Sequence, residues 1–179
     1  LEPWFFKAYK NTLFITASDS ANADLLKVGI HEKNIEIIPH GVIVEKVSNS
    51  VKKEKKPTFI FVGRVSKDKG IKDVLEAFQI IKRKTKNLEY KNAKLWIVGK
   101  EEKEGFLDAL LNAEYKDLKS DITYHGFVSQ EKKFELLKRS WLLLHASVKE
   151  GWGLTVIEAG SQGTPTIGYN VEGLRDSIQ

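Results

Sequence analysis

The chain has 179 residues, 41% hydrophobic and 30% charged, with a formal net charge of +5 and a pI near 9.2. That balance describes a folded globular protein long enough to bury a core, and it excludes a disordered chain. The lack of cysteine excludes disulfides and thiolate metal sites, the four histidines (31, 40, 125 and 145) lie too far apart for ligand spacing, and no apolar run reaches the length of a membrane-spanning helix.

Short β-rich apolar runs alternate with amphipathic stretches, the pattern of an α/β protein whose parallel sheet is covered by helices. A strand is predicted at 13–17 (LFITA), a helix at 20–28 ended by Gly29, and a strand at 35–39 (IEIIP). The segment VSNSVKKEKKP at 47–57 is polar, densely charged and closed by Pro57, so it reads as a linker. What precedes it is too small for its own core. Residues 1–46 therefore read as the tail of a preceding α/β domain and 58–179 as most of a doubly wound domain, cut short at its end. With no initiator methionine at Leu1, the natural protein is expected to be longer. Within 58–179 strands are predicted at 58–63, 94–99, 122–126, 141–146 and 165–169, and helices at 70–84, 102–118, 130–139, 153–162 and 172–178. In the clearest helix Ile71, Val74, Leu75 and Phe78 recur at i, i+3, i+4 and i+7, which marks a core face.

In an open parallel sheet, ligands bind beyond the carboxyl ends of the strands, so the loops there carry the chemistry. In FVGRVSKDKGIKDV, Gly63 ends a strand, and Arg64 and Lys69 bracket a turn that opens a helix at Gly70, which makes an anion site. It is not a Walker loop, because Lys69 precedes its glycine. The plain alternative is a solvated surface loop. The second loop, KEGWGLTVIEAGSQGTPT, sets Glu150 and Glu158 eight positions apart around a Gly-Trp-Gly turn. Val156 stands where a dinucleotide fingerprint needs its third glycine or alanine, which weakens that reading. A carboxylate pair also suits glycoside hydrolysis, given an aromatic-lined cleft; alternatively Glu150 meets the helix dipole and Glu158 pairs on the surface. Val156, Ile157 and Ala159 flank Glu158, and a carboxylate in that setting needs a partner.

The stretches FIFVGRVSKDKGIKDVLEAF, LWIVGKEE and ITYHGFVSQEKKFELLKRSWLLLHASVKEGWGLTVIEAGSQGTPTIGYNVEGLRDSI closely resemble the nucleotide-sugar-binding half of glycosyltransferase family 4. These are retaining enzymes of the two-domain GT-B architecture with Rossmann-like doubly wound sheets. The resemblance covers residues 13–179 and rests on three ordered elements: Gly-Arg-x4-Lys-Gly, Glu-x7-Glu, and Gly-Thr-Pro before a strand. Upstream, ITASDSANADLLKVGIHEKNIEIIPHGV resembles the end of the family's N-terminal domain, with His40-Gly41 where Asn-Gly is common.

The resemblance implies that Arg64 and Lys69 hold the donor diphosphate and stabilise the charge growing on it, in place of a metal. No Asp-x-Asp motif occurs, and no cofactor is expected beyond the nucleotide sugar as substrate. Glu150 would take hydroxyls of the transferred sugar and Glu158 those of the ribose, with backbone N–H groups of Trp152, Gly153, Leu154 and Thr155 on sugar and phosphates. Gly99, with Phe127 and Val128, would border the nucleobase; Lys100 replaces part of a Gly-rich turn common in the family, and His145 in HAS, where Pro-Ser is frequent, is expected to pack at a strand end. The implied function is hexosyl transfer from GDP-mannose or a UDP-hexose, serving glycan biosynthesis in the cytoplasm, with an acceptor domain missing in cis. The lysine surplus suits a parent protein peripheral to the inner face of a membrane, near lipid-linked acceptors. A nucleotide-sugar 2-epimerase of the same architecture is the first alternative. The second, a basic nucleic-acid-binding domain, is disfavoured because the aromatics fall in apolar strands and helices rather than on a basic face, so no nucleic-acid partner is expected.

Overall fold

A computed structural model describes Phe6 and residues 8–44 and 47–178. Residues 1–5, 7, 45 and 46 of the expected N-terminal tail, and Gln179 at the end of the resemblance, lie outside the described residues.

The described residues build two parallel sheets. In the smaller, strands β1 (Phe14–Thr16) and β2 (Ile35–Ile37) flank helix α1 (Asp19–Lys27), with Phe14 opposite Ile35. Ser18 caps α1 by accepting the Ala21 N–H at 3.1 Å, and the Gly29 N–H closes the helix on the Leu26 carbonyl at 3.0 Å. The larger sheet has strands β3 (Thr58–Val62), β4 (Lys94–Val98), β5 (Ile122–Gly126), β6 (Leu142–His145) and β7 (Thr166–Gly168) in the order β5-β4-β3-β6-β7, every pair parallel. Helices α2 (Ile71–Lys84), α3 (Leu88–Lys91), α4 (Phe106–Glu114), α5 (Gln130–Arg139), α6 (Leu154–Ser161) and α7 (Leu174–Ser177) complete it. The α/β class and doubly wound sheet expected from the sequence are thus present.

The central strands read as unbroken apolar runs because both faces are buried. Phe59 and Phe61 of β3 point into one core with Leu95, Ile97, Val74, Leu75 and Phe78; Ile60 points into the other with Val98, Leu143, Phe134 and Leu137. The predicted α2 stripe is core, all four residues being buried. The strand order reverses direction between β3 and β6, so the loops following these two strands lie side by side at the carboxyl edge. That crevice is where such a sheet accepts ligands.

Two local differences from the sequence reading have physical causes. The helix predicted from 102 starts only at Phe106, because the Glu101 carboxylate accepts the N–H groups of Gly105 (3.1 Å) and Leu107 (2.7 Å); beyond Glu114 the chain continues as a 3₁₀ turn. Helix α3 has no counterpart in the sequence reading: it is four residues long, too short for an apolar period, and is started by the Asn87 side chain accepting the Glu89 N–H. Segment 47–57, although mostly exposed, is tied down at Lys53 and Glu54. Lys53 Nζ donates to the Ser140 carbonyl (2.7 Å) and Thr164 Oγ1 (2.6 Å), Glu54 pairs with Arg139 (2.6 Å), and Trp141 Nε1 donates to the Glu54 carbonyl (2.7 Å). Its charges fasten the segment to the end of α5 and the start of β6.

Candidate active site

A cleft of about 760 Å³ separates the two sheets. The small sheet contributes Thr16, Ala17, Pro39, His40 and Gly41; the large one contributes Gly63, Lys69, His145 and residues 150–155. A second groove, about 580 Å³, lies along the loops after β3, β4 and β5 and is lined by Arg64, Gly99, Lys100, Phe127, Val128 and Lys133. Val62 and Gly63 border both hollows, so the two adjoin across the end of β3.

Lys69 and Glu150, 81 positions apart in sequence, meet in the cleft wall with Nζ 2.5 Å from Oε1, their side chains 26% and 16% exposed. Gly70 makes this possible. It stands at the start of α2 with φ +70°, and a Cβ there would lie 2.0 Å from the Ala146 carbonyl oxygen, so the loop after β6 rests directly on the helix N-terminus. Ser147 Oγ fastens the same loop to the Asp68 carbonyl (3.4 Å) and the Lys149 carbonyl (3.0 Å).

His145 ends β6, buried as expected, and its Nε2 lies 3.9 Å from Glu150 Oε1. Burial pushes its pKa below the ordinary value; the Glu150 carboxylate opposes that and the Lys69 ammonium adds to it. The folded state therefore binds a proton at His145 less readily than the unfolded chain does. Its contribution to stability is complete above about pH 6.5, the unfolded value, and is lost as pH falls through and below it. Thermal melts should show wild type losing more stability than His145→Gln between neutral and mildly acidic pH. His125, also depressed by burial and by Lys132 and Arg139, is common to both proteins and cancels in the difference. Equal losses would remove the burial argument for His145.

The sequence puts Arg64 and Lys69 on one anion. In the structure Lys69 lines the cleft and Arg64 the groove, and the two hollows share Val62 and Gly63. Arg64 pairs with Asp68 at 2.8 Å, both about half exposed (53% and 51%). A hydrogen bond from Ser66 Oγ (2.5 Å), and then the Arg64 guanidinium, hold the Asp68 carboxyl below its usual range. Sequence reasoning missed this restraint, although Asp68 stands four positions after Arg64.

Glu158 has the partner that its apolar neighbours require: its Oε1 accepts from Lys133 Nζ of α5 at 2.6 Å, the two side chains 13% and 16% exposed. Lys133, not Glu158, lines the groove. No sequence signal pointed to it, since the pair joins two helices 25 positions apart. Gly99 lies in the groove with its carbonyl accepting from Tyr124 OH at 3.1 Å, and Phe127 stands at the rim, 84% exposed. Across the cleft floor no side chain caps α6, whose first residues Leu154 and Thr155 line the cavity beside Gly153. Free N–H groups at a helix start suit an anion. The Trp152 indole N–H is buried in the same wall without a hydrogen-bond partner among the described residues.

Residues 43–179 match the family described as "Glycosyl transferases group 1". The chain belongs to this family. An uncharacterized glycosyltransferase of Methanocaldococcus jannaschii is 26% identical over 98% of the chain and 46% of its own length. The serotype-specific mannosyltransferase WbdA of Escherichia coli is 35% identical over 62% of the chain and 13% of its own length. Among solved structures, the pneumococcal O-GlcNAc transferase GtfA in complex with UDP and GlcNAc superposes with a TM-score of 0.77 at 26% identity, covering 98% of the chain and 33% of GtfA. The chain thus spans less than half the length of each of these proteins. Family membership and fold agree with the resemblance in the sequence. Among the described residues no helix is long and apolar enough to cross a membrane.

Proposed function

We propose that this chain is the donor-binding part of a retaining, metal-independent glycosyltransferase that moves a hexose from a nucleoside diphosphate sugar to an acceptor hydroxyl. The observation that carries this reading is the pair of adjoining hollows on either side of Gly63, each with a cation in its wall. The nucleoside occupies the groove with its base between Gly99 and Phe127–Val128, and the Lys133–Glu158 pair stands at the ribose. The diphosphate crosses Gly63 between Arg64 and Lys69 and meets the start of α6. The sugar enters the cleft, where the Glu150 oxygen not engaged by Lys69 accepts its hydroxyls.

The chemical step follows from that placement. As the bond from the sugar to the diphosphate breaks, negative charge grows on the leaving phosphate, and Lys69 and Arg64 supply preformed positive charge there. The same phosphate, on the face from which the sugar leaves, takes the proton of the incoming acceptor hydroxyl, which retains the anomeric configuration. The acceptor approaches from the side of His40 and Gly41, and the remainder of its site belongs to a preceding domain. A mannosyltransferase among the relatives and UDP with GlcNAc in a solved neighbour support GDP-mannose or a UDP-hexose as donor. On this reading the parent protein works in the cytoplasm, at the inner face of a membrane when its acceptor is lipid-linked.

The 179-residue chain is expected to bind UDP or GDP weakly and to transfer no sugar. Ligand-observed NMR should show saturation transfer to ribose and base protons of one of these nucleotides, and Glu158→Ala should abolish the transfer to the ribose. Arg64→Ala should weaken binding by about 1.5 kcal/mol, the low end for a charged hydrogen bond, because Arg64 is half exposed and must leave Asp68. If neither nucleotide binds, the donor-site reading is wrong.

A further inference from the structure

Three cations line the groove, and one of them has no counter-charge. Arg64 is engaged by Asp68 and Lys133 by Glu158, whereas the exposed Lys100 ammonium has no hydrogen bond or ion pair among the described residues. None of the described residues lining the groove is acidic. Lys100 is also the first side chain beyond β4 that can enter it, because Gly99 has to be bare: a Cβ there would lie 1.8 Å from the Gly63 carbonyl oxygen. The backbone of this turn is already engaged. The Gly99 N–H donates to the Gly126 carbonyl (2.8 Å), the Gly99 carbonyl accepts from Tyr124 OH (3.1 Å), and the Lys100 carbonyl accepts the Val65 N–H (2.9 Å).

The pairing of β3 with β4 fixes where the ammonium stands. Val62 lies opposite Val98 and Val65 opposite Glu101, so Arg64 lies opposite Lys100 on the same face. Like charges placed directly opposite repel. Lys100 is thus one strand spacing, about 4.8 Å, from Arg64 on the side away from Lys69, and repulsion turns it toward the loop after β5, where Phe127 is exposed. The Ser129 hydroxyl and the Gln130 amide also line the groove, but each donates and accepts, while an ammonium only donates.

We propose that Lys100 sets the base preference of the donor site: its ammonium meets the ring carbonyl that uracil carries at position 4 and guanine at position 6, and disfavours cytosine and adenine, which present an amino group there. This rests on the groove taking the nucleoside end of the donor. A donor facing a carbonyl forms a charged hydrogen bond; the same donor facing an amino group leaves both unpaired.

The test is an NMR titration of the chain with UDP, CDP, GDP and ADP, which share one diphosphate and differ in the base. Wild type should bind UDP about tenfold more tightly than CDP, or GDP about tenfold more tightly than ADP. Lys100→Met should bring that ratio close to one. Lys100→Glu, which only accepts, should invert it while weakening all four ligands by repelling the diphosphate, so the ratio is the quantity to read. Both variants should melt with wild type, since Lys100 is exposed and pairs with nothing among the described residues. A ratio unchanged in both variants overturns the inference, and equal weakening of all four by Lys100→Met would make Lys100 a phosphate cation instead. Wild type that ranks the four alike, or prefers CDP or ADP, also overturns it while leaving the donor reading in place. Binding of none of them by wild type overturns both.

Discussion

Lys69→Met should all but remove nucleotide diphosphate binding and also destabilise the fold. Two separate consequences follow from one lost ammonium. The first concerns the ligand: the cation that faces the diphosphate from the cleft disappears, at a cost near the upper end for a charged hydrogen bond, about 3 kcal/mol or somewhat more than a hundredfold in affinity. The second concerns the apo protein. Glu150 is 16% exposed and has Lys69 at 2.5 Å, with His145 held neutral by burial at 3.9 Å. Removing one partner of a mostly enclosed pair leaves an uncompensated charge, which costs up to about 3 kcal/mol. The double variant Lys69→Met with Glu150→Gln separates the two. Melting should recover most of the lost stability, because no charge is stranded, whereas titration with UDP or GDP should still find no tight binding. Recovery of both properties would mean that Lys69 serves the fold alone; recovery of neither would mean that the pair is not the unit described.

Much of this fold is legible in the sequence because its signals are local. The stripe of Ile71, Val74, Leu75 and Phe78 needs only helical geometry to predict a buried face, and the apolar runs of β3 and β4 need only a sheet covered on both sides. The candidate site is legible where it is made of motifs: Lys69, Glu150 and residues 152–155 do line one cleft. It is not legible where its parts meet by topology. Lys133 and Glu158 sit on different helices, and nothing in a spacing of 25 positions tells one partner from the other lysines of the chain. The placing of Arg64 in the groove and Lys69 in the cleft is similar, since a turn of four residues between them fixes neither direction nor the competing claim of Asp68. The attachments of segment 47–57 are equally silent in the sequence, where nothing pairs Glu54 with Arg139 or Lys53 with Ser140 and Thr164.

Gly70→Ala should be among the most damaging single-methyl changes in the site, and its effect can be divided by a control within the same chain. A side chain at φ +70° adopts the left-handed region at a cost of about 1–2 kcal/mol. Gly105, at the start of α4 with φ +76°, carries that cost alone, because a Cβ there meets nothing within 4 Å. At Gly70 the Cβ would also lie 2.0 Å from the Ala146 oxygen and 2.6 Å from its carbonyl carbon. These are backbone atoms of the loop after β6, which cannot rotate aside, so the loop must move away from the start of α2. Thermal or denaturant unfolding should therefore place Gly105→Ala within about 2 kcal/mol of wild type and Gly70→Ala at about 4 kcal/mol or more below it. Because the displaced loop carries Glu150, the second variant should also separate the Lys69–Glu150 pair, and nucleotide binding should fall with stability. Equal melting of the two variants would mean that the loop does not rest on the helix start, and the route by which two positions 81 residues apart come to share one cleft would have to be sought elsewhere.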